Sequence, residues 1–134
     1  MASSKSNPYA GKSFPAGSTS LAQFQFVVIN SSGQIVTPSA TGVFALVLWE
    51  AGNLATETIT NNMPSGGYVV GNNYGVISPF MSWSKVITGA NLTVGQAVMT
   101  DTSGHAIPQT GSGVILGYAL AASNSGDIVE LAPN

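Results

Sequence analysis

Apolar residues in this chain come in short runs that stop at Gly, Pro, Asn or Ser, and nowhere do they fall on a capped 3.6-residue stripe. Phe26-Val27-Val28-Ile29 leads into Asn30-Ser31-Ser32-Gly33 and out through Gln34-Ile35-Val36. Gln96-Ala97-Val98-Met99-Thr100 leads in the same way into Asp101-Thr102-Ser103-Gly104 and out through His105-Ala106-Ile107-Pro108. An Asn or Asp opening a four-residue segment that closes on Gly predicts a type I turn. The opening side chain can accept a backbone N–H, and the Gly can take positive φ and seat a bulge. Val43–Trp49 and Val114–Leu120 are apolar, too short for a typical helix and bounded by turn signals. They predict strands buried on both faces, with Trp49 in the core. Thr56-Glu57-Thr58-Ile59, Lys85-Val86-Ile87-Thr88 and the alternating Asp127-Ile128-Val129-Glu130-Leu131 add further strands. The pattern predicts an all-β chain.

The two hairpins belong to a larger repeat. At an offset of 71 (104 − 33), Leu21 to Asn53 aligns with Leu92 to Asn124 without a gap. Leu21/Leu92, Gln25/Gln96, Val27/Val98, Ser32/Ser103, Gly33/Gly104, Gly42/Gly113, Val43/Val114, Ala51/Ala122 and Asn53/Asn124 are identical, and many of the other pairs, Phe26/Ala97, Val28/Met99 and Val36/Ile107 among them, exchange apolar for apolar. A fixed offset held this long is the mark of an internal duplication. A hairpin plus one buried strand cannot enclose a core alone, whereas two copies facing each other can. The expected fold is a compact β-barrel or β-sandwich over 21–134, with repeat units at about 21–53 and 92–124. Residues 1–20 are small and polar around Tyr9 and Phe14, and they read as an extended arm without a core of its own. Residues 61–84 have no partner in the alignment; they hold the turn signals Met63-Pro64-Ser65-Gly66-Gly67 and Gly71-Asn72-Asn73-Tyr74-Gly75 and read as an inserted hairpin followed by an aromatic loop.

Composition narrows the function. At 134 residues the chain holds one domain, and only 6% of its residues are charged, so its surface must be Ser, Thr, Asn, Gln and Gly. Three basic residues and a net charge of −2 give no footprint for nucleic acid or for an anionic membrane. So few charges leave a free domain poorly protected against association, which points to a surface that a partner covers. There is no cysteine, hence no disulfide or thiolate metal site. The first residues lack the apolar core of a signal peptide, and no apolar run approaches a membrane span, so synthesis in a cytoplasm is expected.

Candidate chemistry is thin. Asp101-Thr102-Ser103-Gly104 in a duplicated β chain is reminiscent of an aspartic protease loop, but Asn30 stands at the matching place, and a shared-proton dyad needs two carboxylates. A turn role is the better reading. His105 is the only histidine, with no ligand set or triad partner near it in sequence. Gly111-Ser112-Gly113 fails the spacing of nucleotide loops and precedes a strand. No enzyme, cofactor or small-molecule substrate is implied. The residues suited to a partner are Tyr9, Lys12, Phe14 and Pro15 in the arm, and Tyr68, Tyr74, Phe80 and Trp83 in the insertion, where an aromatic can serve as core or contact.

One ordered set of segments carries a resemblance. It runs from Phe14-Pro15-Ala16-Gly17 through Gln25-Phe26-Val27-Val28, Asn30-x-x-Gly33 and Val43 to Lys85–Gly95. It continues with Val98, Asp101-x-x-Gly104, Gly113–Leu120, Ala121-Ala122 and Gly126–Leu131. In this order the chain resembles the small capsid cement, or head decoration, proteins of tailed bacteriophages. No single motif is specific, and the match is strongest from Lys85 to Leu131. The resemblance implies a virion protein on the outer capsid surface, bound to the major capsid protein shell as a homotrimer. It also implies that the protein stabilises the expanded head against the pressure of packaged DNA. The competing expectation is a carbohydrate-binding β module of a phage tail or fibre, with Tyr68, Tyr74 and Trp83 as a stacking platform.

Overall fold

The computed structural model describes residues 12–52, 58–60, 63–65 and 67–134, with 58–60 and 63–65 described as backbone. Among these residues the chain forms strands and no helix. The strands are β1 (Lys12–Pro15), β2 (Phe26–Ile29), β3 (Ile35–Val36), β4 (Leu46–Leu48), β5 (Thr58–Thr60), β6 (Met63–Ser65), β7 (Asn73–Ile77), β8 (Ser84–Ile87), β9 (Ala97–Thr100), β10 (Ala106–Pro108), β11 (Gly117–Ala119) and β12 (Ile128–Ala132). Two antiparallel five-stranded sheets have the orders β1-β7-β4-β2-β3 and β8-β12-β11-β9-β10, and β5 and β6 pair only with each other.

The duplication is written into the strands residue by residue. β2, β3 and β4 start at 26, 35 and 46, and β9, β10 and β11 start at 97, 106 and 117, each 71 later. Phe26 pairs with Val47 and Val47 with Ile77, while Ala97 pairs with Tyr118 and Tyr118 with Ala132. Each sheet also curls until its outer strands touch, through single parallel bridges between Ala16 and Ile35 and between Thr88 and Ala106. The Gly17 N–H donates to the Ile35 carbonyl at 2.9 Å and the Gly89 N–H to the Ala106 carbonyl at 2.8 Å. The shared sequence chemistry explains the shared geometry. Asn30 Oδ1 accepts the N–H groups of Ser32 and Gln34, both at 2.9 Å, and Asp101 Oδ1 accepts those of Ser103 and His105 at 2.8 and 2.9 Å. Gln25 Oε1 accepts the Ala22 N–H and Gln96 Oε1 the Thr93 N–H, which is why this residue is the same in both copies.

The repeat reaches further than the alignment. β1 occupies in the first sheet the place of β8 in the second, and β7 the place of β12. Lys12–Pro15, read from sequence as part of an arm, is therefore a full strand paired with β7, and Ala16 behind it is fully buried. The unmatched stretch correspondingly falls earlier than 61–84 and ends before β7. Residues 49–72 separate β4 from β7, against 120–127 between β11 and β12, so the excess is confined to that first connection and holds the β5–β6 pair.

Two clusters form the core. Val27, Ile35, Leu48, Tyr74 and Val76 fill the inside of the first sheet together with Ala16, Leu21 and Tyr68. The alternate residues Phe26, Val47 and Ile77 face the other way and pack with Val86, Val98, Leu116, Val129 and Leu131 of the second half. Fully burying side chains of this size stabilises by about 1.5–3 kcal/mol each, so this row is the main bond between halves. The equivalent row on the second sheet, Ala97, Tyr118 and Ala132, is half-buried, and smaller or polar residues have replaced the large apolar ones. The two apolar runs are less buried than their pattern implied. Strand geometry is confined to 46–48 and 117–119, Phe44 is exposed, and Trp49 and Leu120 stand at the surface just past the strand ends.

Candidate functional site

The residues singled out from sequence scatter when folded. Tyr9 lies outside the described residues. Lys12 is exposed on β1, and Phe14 and Pro15 are half-buried opposite Tyr74 and Asn73. Tyr68 and Tyr74 are core residues, 0% and 1% exposed, and do not present a contact face. Their rings meet edge to face at 4.7 Å. The Tyr68 hydroxyl donates to the Glu50 carbonyl at 2.6 Å, and the Tyr74 oxygen accepts the Val69 N–H at 2.9 Å. Buried Tyr hydroxyls need such partners, and these two find them inside the first sheet. The stacking platform of Tyr68, Tyr74 and Trp83 is therefore not assembled. Phe80 is half-buried, packs on the core between the halves and stacks with exposed Phe44 at 5.4 Å. Trp83 alone of the insertion aromatics projects, 66% exposed.

What Trp83 joins is a cleft that sequence reasoning missed. Trp49, Trp83, Ser84, Lys85, Leu120, Glu130 and Leu131 line a depression of about 270 Å³ where the two halves meet. Trp49 and Leu120 are equivalent positions of the repeat, held alike: the Trp49 N–H donates to the Gly75 carbonyl and the Leu120 N–H to the Glu130 carbonyl, both at 3.0 Å. Lys85 and Glu130 face each other across the β8–β12 ladder. A second groove of about 420 Å³, lined by Leu120, Ala121, Ala122, Ser123, Asp127, Ile128, Val129 and Glu130, continues from the first through Leu120 and Glu130. The buried hydroxyls of Ser84 and Ser123, one in each wall, have no hydrogen-bond partner in the fold.

Backbone strain supports the cleft from behind. Phe24 has φ +66°, a left-handed conformation that L side chains avoid at a cost of about 1–2 kcal/mol. The second copy has Gly95 at this place, with φ +81°. The hydrogen bonds also match, since the Phe24 N–H donates to the Leu48 carbonyl and the Gly95 N–H to the Ala119 carbonyl, both at 2.7 Å. The first copy thus keeps a large aromatic where the turn calls for glycine. Its ring packs edge to face on Trp49 at 5.2 Å and props that indole at the rim. Strain held in this way points to a function for the side chain.

The remaining chemistry is structural. Asp101 spends its carboxylate on the two N–H groups of its own turn, as Asn30 spends its amide oxygen. Among the described residues no three His, Asp or Glu side chains gather into a set that could hold a metal ion.

No family model and no curated protein matches the sequence. Among solved structures the chain is similar to the N base of head fiber gp8.5 of bacteriophage phi29, with a TM-score of 0.52 and 20% identity. The match covers 92% of this chain and 93% of that one, so the shared all-β fold extends over nearly the full length of both.

Proposed function

We propose that this chain is a capsid decoration protein, which binds the outer surface of a tailed-phage head and stabilises the expanded shell. The observation that carries this reading is the likeness to the base of a phage head fiber along almost the whole of both chains. The ordered segments from Phe14 to Leu131 that resemble cement proteins point the same way. The same likeness accommodates a variant in which the domain is the shell-bound base of a longer fibre.

The physical character of the surface supports it too. With 6% charged residues, contacts must come from shape and apolar burial, which resist salt. The exposed Phe44, with Phe80 stacked on it and Met81 beside it in sequence, offers an apolar patch for a neighbour. Strand β1 is the outermost strand in its sheet order, which supports edge contacts of Lys12, Phe14 and Pro15 with the shell or with another copy; Tyr9, outside the described residues, is proposed for the same contacts on its sequence alone. Trimer formation would multiply such weak contacts by avidity. A protein that binds only the assembled shell stabilises that state by its differential affinity.

The test is co-sedimentation with purified DNA-filled heads of the phage that encodes the chain. The reading expects saturable pelleting that is unchanged between about 50 and 500 mM salt, within the range where exposed charge pairs are screened. Protein left wholly in the supernatant with intact heads contradicts it.

A further inference from the structure

We propose that the cleft between Trp49 and Trp83 is a binding site for a neutral glycan chain. The proposal does not depend on the decoration reading, because it concerns the free protein and a soluble ligand.

Three observations bear on it. First, two tryptophans line one depression, and they are the only two in the chain. Indole faces take the apolar C–H faces of a sugar ring while leaving its hydroxyls free. Second, charge is rare here yet collects along this path. The chain has eight charged residues, and Lys85, Glu130 and Asp127 line the cleft or the groove continuing from it. Neither Lys85 nor Glu130 is in an ion pair, although they are direct neighbours across the ladder. An ammonium donor beside a carboxylate acceptor, both uncommitted, complements adjacent hydroxyls that donate and accept, and it suits a net-neutral ligand better than an anion or a cation. Third, the strained Phe24 fixes Trp49 in place, which a passive surface residue would not require. The volumes, about 270 and 420 Å³, accommodate a short run of rings along one line.

Calorimetric titration of the full chain with glucose, galactose and N-acetylglucosamine tetrasaccharides tests this. At least one is expected to bind saturably. Trp83→Ala should weaken that binding tenfold or more, and Glu130→Gln and Lys85→Met several-fold each, with thermal unfolding unchanged. Phe24→Gly should weaken it as well, since it releases Trp49 while suiting the backbone. No binding by any of the three sugars overturns the proposal, as does wild-type affinity in Trp83→Ala. If the sugars fail and Trp83→Ala instead abolishes pelleting with heads, the cleft is a protein interface. Should sugar binding hold while pelleting fails, the glycan site stands and the decoration reading falls.

Discussion

Gly33 and Gly104 are the same residue of the repeat, with φ +76° and +78°, yet replacing each by alanine should have very different consequences. A Cβ on Gly33 would meet nothing within 4 Å. Its cost is the left-handed backbone alone, about 1–2 kcal/mol. A Cβ on Gly104 would run into Gln25 Cγ and the Phe26 carbonyl oxygen, in the opposite half of the molecule. Relief of that overlap costs about 1–3 kcal/mol more. It also pulls on the 2.7 Å hydrogen bond from the Phe26 N–H to the Gly104 carbonyl, and stranding that N–H costs about 1–3 kcal/mol. The sum for Gly104→Ala is about 3–8 kcal/mol, a large share of the roughly 5–15 kcal/mol that holds a domain folded. The loss of chain entropy in the unfolded state is common to both variants and cancels. Urea unfolding reads the difference. With m near 1.5 kcal/mol/M, the extra cost of about 2–6 kcal/mol should make the Gly104 variant unfold about 1–4 M earlier than the Gly33 variant. Equal midpoints would refute the argument that this turn is wedged between the halves.

Other changes separate core from surface. Tyr68→Phe removes the hydroxyl that donates to the Glu50 carbonyl, and should cost about 1 kcal/mol by thermal or urea unfolding. Asn30→Ala and Asp101→Ala each forfeit two side-chain to backbone bonds and should cost about 1–2 kcal/mol, while Asp101→Asn should be nearly neutral because it keeps the accepting oxygen. Trp83→Ala should change stability by less than about 0.5 kcal/mol, since most of the side chain is already in solvent.

The all-β class, the duplication and both Asx-type turns were legible because they rest on local chemistry. Asn30, Asp101, Gln25 and Gln96 do their work within a few residues of themselves, and the glycines that close the turns are visible in any alignment of the chain with itself. The equivalence of β1 with β8 and of β7 with β12 was not legible. Those strands pair through distant partners, and the alternating positions of Lys12–Pro15 carry almost no sequence identity to Ser84–Ile87. The site failed for the same reason. Trp49 ends an apolar run and so reads as core, while nothing local says that the strand stops at Leu48 and leaves the indole at the rim. Tyr68 and Tyr74 sit among turn signals and read equally as core or contact, and the curl of the first sheet that buries them has no local signature. The pairing of Phe24 with Gly95 under the repeat was the one signal within reach: a phenylalanine standing where the other copy needs glycine marks a position retained for its ring.

The central claim is attachment to a phage head, and the most direct measurement is electron cryo-microscopy of purified heads incubated with the protein. The account predicts ordered density at symmetry-related positions on the outer surface, into which the double five-stranded fold fits, with the β1 edge and the Phe44–Phe80 patch against the shell or a neighbouring copy. Heads that remain bare at saturating protein would contradict it.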